Sequence, residues 1–326
     1  MVLKTITAVD AILGRINVHP EYSCNVRKQA YQAFRDESIS HSLSLEIESL
    51  TNGSASAEVR TKEGYRKLRR NLDQAMSFLS EEGLTLYSLS QLGHKIDPEK
   101  HSRPNFRNSL VKFGKFVPCN SDDVIYHIKS LVDFLKYTPV HPITRATEAH
   151  ISMIQIHPYE DGNGRAARLL QNFCLSERGY PLAIIPIEDR ELYIDLMNGT
   201  LDDRFSGKSS LEIPSTHELS LHKYLATRVL SSTKRLEHEL RGRRMYEISA
   251  PQKTHKAQMM TLASMIKGYN RRKTDREGVT AKFDNKSSKR RKKLAVIGDI
   301  SRAELEMIVS RFYKVHDVRC IIKVSN

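Results

Sequence analysis

The sequence predicts a mostly α-helical protein with one short β-hairpin and a small, basic α/β module at its C-terminal end. Apolar residues recur at helical spacing through most of the chain before residue 243. Strand-like patterns are confined to one alternating stretch around Gly114 and an apolar end at Val318–Val324. Charge is divided unevenly: residues 243–326 hold 21 Lys and Arg against 8 Asp and Glu, a net of +13 out of +14 for the whole chain. That asymmetry predicts a separate C-terminal module that meets something acidic.

The elements follow in order. Val26, Ala30 and Phe34 mark a helix over Cys24–Asp36, and Ile39, Leu43, Ile47 and Leu50 keep helical spacing up to a break at Thr51-Asn52-Gly53-Ser54. Tyr65–Glu82 is a further helix stopped near Gly83. After an irregular stretch, Lys95–Asn105, the residues Asn108–Val117 alternate as a hairpin, ended by Pro118. Asp122–Leu135 is amphipathic, with Val124, Ile128, Leu131, Val132 and Leu135 on one face. Thr144–Ile156 is apolar on most sides, which places it at the centre of the core. Arg165–Arg178 is helical with Gly179 as its cap, and Glu188–Met197 and Glu218–Leu240 continue the pattern. In the basic quarter, Thr254–Tyr269 and Ser301–Tyr313 read as helices. This divides the chain into a helical region 1–90, a central domain 91–242 and the basic module 243–326.

Composition narrows the function classes. No run of about 18 apolar residues predicts a membrane span, and the first residues lack the apolar core of a secretory signal. Cys24, Cys119, Cys174 and Cys320 lie far apart with no CxxC pair, which argues against a zinc site or a disulfide scaffold. The expected location is therefore the cytoplasm.

One segment concentrates chemistry: His157-Pro-Tyr-Glu-Asp-Gly-Asn-Gly-Arg-Ala-Ala-Arg168. Pro158 ends one helix at His157, and a new helix starts at Asn163-Gly164. Gly162 and Gly164 allow a tight turn and close approach to a ligand. The N–H groups of a helix start favour an anion, and Arg165 and Arg168 share a face beside it. Asp161 is a hard oxygen ligand suited to Mg²⁺ held mainly by phosphates. His157 is the group there able to take a proton near neutral pH. Together they form a phosphate cradle with a metal ligand and a base.

This segment resembles the signature of Fic-domain proteins, His-x-Phe-x-(Asp/Glu)-Gly-Asn-Gly-Arg-x-x-Arg, with Tyr159 where Phe is usual. Phe106-Arg107, the hairpin through Val117-Pro118, His141-Pro142 with His150, Gly179-Tyr180-Pro181 and Arg190 through Tyr193 extend the likeness over roughly residues 40–205. The resemblance implies a helical bundle with a hairpin flap that holds the target backbone. It implies transfer of AMP from ATP to Ser, Thr or Tyr hydroxyls of target proteins, with UMP or phosphocholine transfer as alternatives. In that scheme His157 is the base, Asp161 holds Mg²⁺, Gly162, Asn163 and Gly164 form the anion hole, and Arg165 and Arg168 bind the outer phosphates. Tyr193 is assigned to the nucleobase. Family members that transfer phosphate carry a bulkier residue where Gly162 stands. A homodimer is a further expectation.

Many relatives of this kind carry an inhibitory helix, (Ser/Thr)-x-x-x-Glu-(Gly/Asn). Ser44-Leu-Glu-Ile-Glu48 resembles it, with Ser49 departing from the last position. Glu48 would then pair with Arg168 and block the γ-phosphate site, and Glu46 is the rival acid. Lys286–Lys293 and Arg271–Lys273 make the C-terminal module a candidate for nucleic acid or another polyanion, or for nuclear localisation in a host cell. The contrasting reading is a nucleic-acid-binding regulator whose Fic-like body is inactive.

Overall fold

The computed structural model describes residues 2–18, 24–51, 62–101, 103–210, 213–242, 244–251, 253–271, 279–283 and 291–324. Side chains are described for all of these except 18, 24–30, 47–51, 242, 245, 271, 283 and 291. The chain divides into two compact units: Met1–Ala11 with Ala33–Thr233, and Ile12–Gln32 with Lys234–Asn326.

The first unit is helical. It holds α3 (Lys62–Glu82), α4 (Leu86–Ile96), α5 (Val124–Tyr137), α6 (Pro142–Ile156), α7 (Asn163–Ser176) and α8 (Arg190–Phe205). Parts of α1 (Val2–Val18), α2 (Cys24–Thr51) and α9 (Thr216–Gly242) belong to it as well. Local chemistry sets the helix ends. Thr85 and Ser88 form a capping box at the start of α4, and Gly83 closes α3 at φ +69°. Pro142 opens α6, where the His141 ring nitrogen accepts the Ile143 N–H. As its sequence predicts, α6 is buried on most sides. It packs along α7, whose Ala166, Ala167, Leu170, Cys174 and Leu175 are fully enclosed.

The expected hairpin at 108–117 is reduced to a turn. Phe113 and Phe116 form a single bridge around Gly114 at φ +55°. The reason is Arg107, whose guanidinium takes the carbonyls of Ser109 and Cys119 that a ladder would otherwise use.

The second unit contains β1 (Met245–Pro251), α10 (Lys256–Arg271), β2 (Thr280–Phe283), β3 (Arg291–Ile297), α11 (Arg302–His316) and β4 (Ile321–Val324). The strands form one antiparallel sheet in the order β2-β3-β1-β4, the split β-α-β arrangement. Both helices cover one face: Leu262 and Ile266 of α10 and Ile308 and Phe312 of α11 pack on Tyr246, Ile248, Leu294 and Val296. The helices and the last strand agree with the sequence reading, and the other three strands are additional to it.

Candidate active site

The loop 157–162 joins the C-terminus of α6 to the N-terminus of α7, and its two ends share a left-handed backbone. His157 sits at φ 52°, ψ 58° as the cap of α6, and Gly162 sits at φ 78° as the cap of α7. A non-glycine residue in that region is strained, so something must hold His157 there. Arg107 does. It is buried, donates to the carbonyl of His157 at 2.8 Å, and its own backbone N–H donates to Pro158. The same side chain ties both arms of the flap to this point. Sequence reasoning noted Arg107 only as part of a resemblance; a buried arginine satisfied by carbonyls leaves no pattern in a sequence.

The His157 ring stacks on Phe113 of the flap at 4.1 Å with 6° between planes. Its Nδ1–H donates to the Ile154 carbonyl at 3.2 Å, which leaves Nε2 with the lone pair. Burial pushes the imidazole pKa down to about 4. It is therefore neutral and able to accept a proton at physiological pH.

The loop is locked from behind. Asn163 Nδ2 donates to the Tyr159 carbonyl at 2.7 Å, and Asn163 Oδ1 accepts the Tyr159 N–H at 3.0 Å. This turns the Asn163 side chain inward, so what residue 163 offers outward is its backbone. Tyr159 is fully enclosed against His101 and Phe106, and its hydroxyl donates to the Leu89 carbonyl at 2.5 Å. Gly93 makes room for that ring: a Cβ there would lie 2.6 Å from it. His101 Nε2–H donates to the Asp161 carbonyl at 3.0 Å and holds the far end of the loop.

The first turn of α7 presents the N–H groups of Asn163, Gly164 and Arg165, which a helix start leaves without intrahelical acceptors. Arg165 is buried between Asp97 at 3.5 Å and Asp161 at 3.6 Å, and its Nε has no hydrogen-bond partner. An enclosed donor of that kind suits a bound anion. A Cβ on Gly162 would meet Arg165 at 3.4 Å and Ile96 at 3.5 Å, ordinary contact distances, so the left-handed backbone and not lack of space restricts this position. Asp161 is half-exposed, with Oδ1 accepting the Gly162 N–H at 2.7 Å. A lone carboxylate at the mouth of an anion loop fits Mg²⁺, which keeps waters and phosphates as its other ligands. Among the described residues no cluster of three or more His, Cys, Asp or Glu side chains is grouped to hold a metal by itself.

Arg168, one turn further, is met by α2. Its Nε donates to Ser42 Oγ at 2.8 Å and its Nη2 to Glu46 Oε1 at 2.8 Å. Ser38, four residues before Ser42, accepts from Asn172 at 2.7 Å. The face Ser38, Ser42, Glu46 thus runs antiparallel along Asn172, Arg168, Gly164. A Cβ on Gly164 would stand 2.9 Å from Glu46 Oε1. Burial opposes the charge on Arg168, but Glu46 and Tyr193 outweigh it and raise its pKa. Ser44 is not on this face. Its hydroxyl returns to the Ser40 carbonyl at 3.1 Å, because two residues turn a helix by about 200°. Glu48 lies in α2, but its side chain is outside the described residues. Tyr193 is buried, with its hydroxyl 2.9 Å from His150 Nε2 and hydrogen-bonded to Arg168.

A buried helix pair whose joining loop offers a neutral imidazole, helix-start N–H groups, two arginines and a carboxylate is an arrangement suited to a phosphate-bearing ligand. Residues 84–175 match the model of the Fic/DOC family, which supports a Fic domain in this part of the chain. It is 34% identical over 145 residues to Protein adenylyltransferase fic-1 of Caenorhabditis elegans, covering 42% of this chain and 27% of that protein. To Protein adenylyltransferase Fic of Nematostella vectensis it is 29% identical over 189 residues, covering 52% and 44%. The chain thus spans less than half the length of these curated relatives. A solved Fic domain containing signaling protein from Bacteroides thetaiotaomicron shares the fold with a TM-score of 0.57 and 21% identity, over 72% of this chain and 97% of that one. A solved structure of Fic-1 from C. elegans shares it with a TM-score of 0.56 and 19% identity, over 72% and 71%. At these identities the structures bear on the fold alone.

Proposed function

We propose that this chain is a protein adenylyltransferase that moves AMP from ATP onto a hydroxyl side chain of another protein. The observation that carries the reading is a neutral imidazole, its Nε2 lone pair available, beside a helix start with two buried arginines. In this reading His157 Nε2 takes the proton of the target hydroxyl. The oxygen forms a bond to the α-phosphorus as the bond to the bridging oxygen breaks, and pyrophosphate leaves. The α7 N–H groups take up charge that develops on the phosphoryl oxygens. Arg165 and Arg168 hold the outer phosphates by paired donors. Asp161 would hold Mg²⁺, which supplies charge neutralisation between the phosphates. The open space at Gly162 supports nucleotidyl rather than phosphate transfer. Tyr193, enclosed behind Arg168, is better suited to holding that guanidinium than to contacting a base.

The same reading includes a brake. Glu46 occupies Arg168, so ATP must displace a carboxylate to seat its outer phosphates. In this reading Glu46 with Ser42, which meet Arg168, takes the role expected of Glu48 with Ser44.

The test uses the full chain with Mg²⁺ and ATP labelled at either the α or the γ position. Label from the α position should enter protein and label from the γ position should not. His157→Ala should retain ATP binding and lose labelling. Incorporation of γ label would overturn the reading in favour of phosphate transfer.

A further inference from the structure

The split β-α-β unit gathers its positive charge at one end. The register places the end of β1, the start of β3 and the start of β4 together, since Pro251 faces Arg291 and Ser249 faces Ile321. The start of α10 and the end of α11 adjoin those strand ends in the chain. This end carries Lys253, Lys256, Lys292, Lys293, Lys314 and Arg319, against the described acids Asp317 and Glu247. Lys293 is engaged by Glu247 at 2.8 Å; Lys253, Lys256, Lys314 and Arg319 are solvent-exposed, with Arg319 lying 6.0 Å over the Tyr313 ring. Away from it, Arg244 and Lys267 are accompanied by Asp299 and Glu304, and Arg302 with its partner Glu306 adds no net charge to the groove it shares with Pro251, Arg319 and Ile321. The charge is therefore a feature of one pole and not of the unit at large.

That pole opens onto the sheet face that α10 and α11 leave uncovered. Exposed residues there are Lys282, Ala295, Ile297, Ile321 and Lys323. Ile297 and Ile321 are 39% and 44% exposed, apolar ground between lysines. A flat sheet meets unstacked bases, whereas a duplex keeps its base edges in grooves that admit a helix or a two-stranded ribbon.

We propose that this pole and the adjoining open face form a docking surface for single-stranded nucleic acid, with phosphates on Lys253, Lys256, Lys314 and Arg319. The contact is independent of sequence, because lysines and an arginine reaching phosphates read no base. It stands apart from the proposed transfer reaction, whose residues all lie in the other unit.

The experiment measures binding of a fluorescent, mixed-sequence oligonucleotide to the full chain as salt is raised. Four phosphate contacts predict a slope of log K against log salt of about −3, at about 0.7 per contact for a single strand. The double variant Lys253→Ala with Lys314→Ala should lower the slope by about 1.4 and weaken binding at 0.1 M salt by about 25-fold. Lys267→Ala, towards the far end of α10 from Lys256, should leave both quantities unchanged. All three side chains are exposed, and circular dichroism checks that each variant is folded. A loss per charge as large with Lys267→Ala as with the double variant overturns the surface. Tighter binding of a duplex of the same length, or binding of anionic vesicles without binding of the oligonucleotide, overturns the occupant.

Discussion

Replacing Glu46 by alanine should tighten ATP binding and loosen the fold at once. The Glu46 carboxylate holds the buried Arg168 guanidinium at 2.8 Å while keeping 27% of its side chain exposed. A hydrogen bond between charged groups contributes about 1.5–3 kcal/mol, and the exposed edge of Glu46 sets this one near the lower half, about 2 kcal/mol. If ATP must displace that contact, its removal lowers the apparent Kd by about 30-fold, since each 1.4 kcal/mol is tenfold. The same loss leaves Arg168 with Ser42 and Tyr193 only, so the melting temperature without nucleotide should fall by several degrees. Calorimetric titration of ATP with Mg²⁺ in a His157→Ala background removes turnover from the measurement, and a thermal melt gives the second readout. Opposite signs in the two assays are the signature. The reasoning fails if Glu46→Ala leaves ATP affinity unchanged, or if Glu48→Ala tightens it instead.

Three further outcomes follow from the site. With His157 depressed to about 4 by burial, the acid limb of kcat/KM should fall near pH 4 and not near 6.5. Between those values the unfolded chain binds a proton on this imidazole that the folded chain does not. Stability should therefore rise with pH across that window by up to ~3 kcal/mol, and His157→Asn should flatten the melting curve there. Tyr159→Phe removes the bond to the Leu89 carbonyl and should cost about 1 kcal/mol in urea unfolding while sparing transfer, because the ring that supports the loop remains. Gly93→Ala drives a methyl to 2.6 Å from that ring; it should cost about 1–3 kcal/mol and reduce labelling, and unchanged activity would show that the loop tolerates a shifted Tyr159.

The helices around the site were legible because their apolar residues recur at 3.6 and their ends carry Pro142, Gly83 and Gly179. The loop was legible because Pro158, Gly162 and Gly164 mark turns and the ionisable residues fall between them. The contact of α2 with Arg168 was not. Serine and glutamate four apart occur twice in α2, at Ser42 with Glu46 and at Ser44 with Glu48. Only the partner helix distinguishes them, and Arg168 lies 122 residues from Glu46 in sequence. The flap alternated like a hairpin, but the competition from Arg107 for its carbonyls is a tertiary effect. In the basic quarter, β3 begins with Arg291-Lys292-Lys293, which reads as a solvated run until β1 pairs with it. Tyr193 sat at a suggestive spacing, yet nothing in its neighbours announces that it is enclosed beside His150.

Under the proposed function Gly164 has a genetic consequence. It stands where the carboxylate from α2 and the nucleotide loop come closest, with Glu46 Oε1 at 2.9 Å and Arg168 Nη1 at 3.3 Å from where a methyl would lie. Any side chain acquired there expels the acid and obstructs the cradle in the same stroke. A lesion at this position therefore ends in silence and never in runaway labelling. Hyperactive alleles have to arise on α2, where Glu46 can be lost without touching the loop. A random screen for toxic gain of function should return hits from the Ser38–Glu46 face and none from residues 162–168.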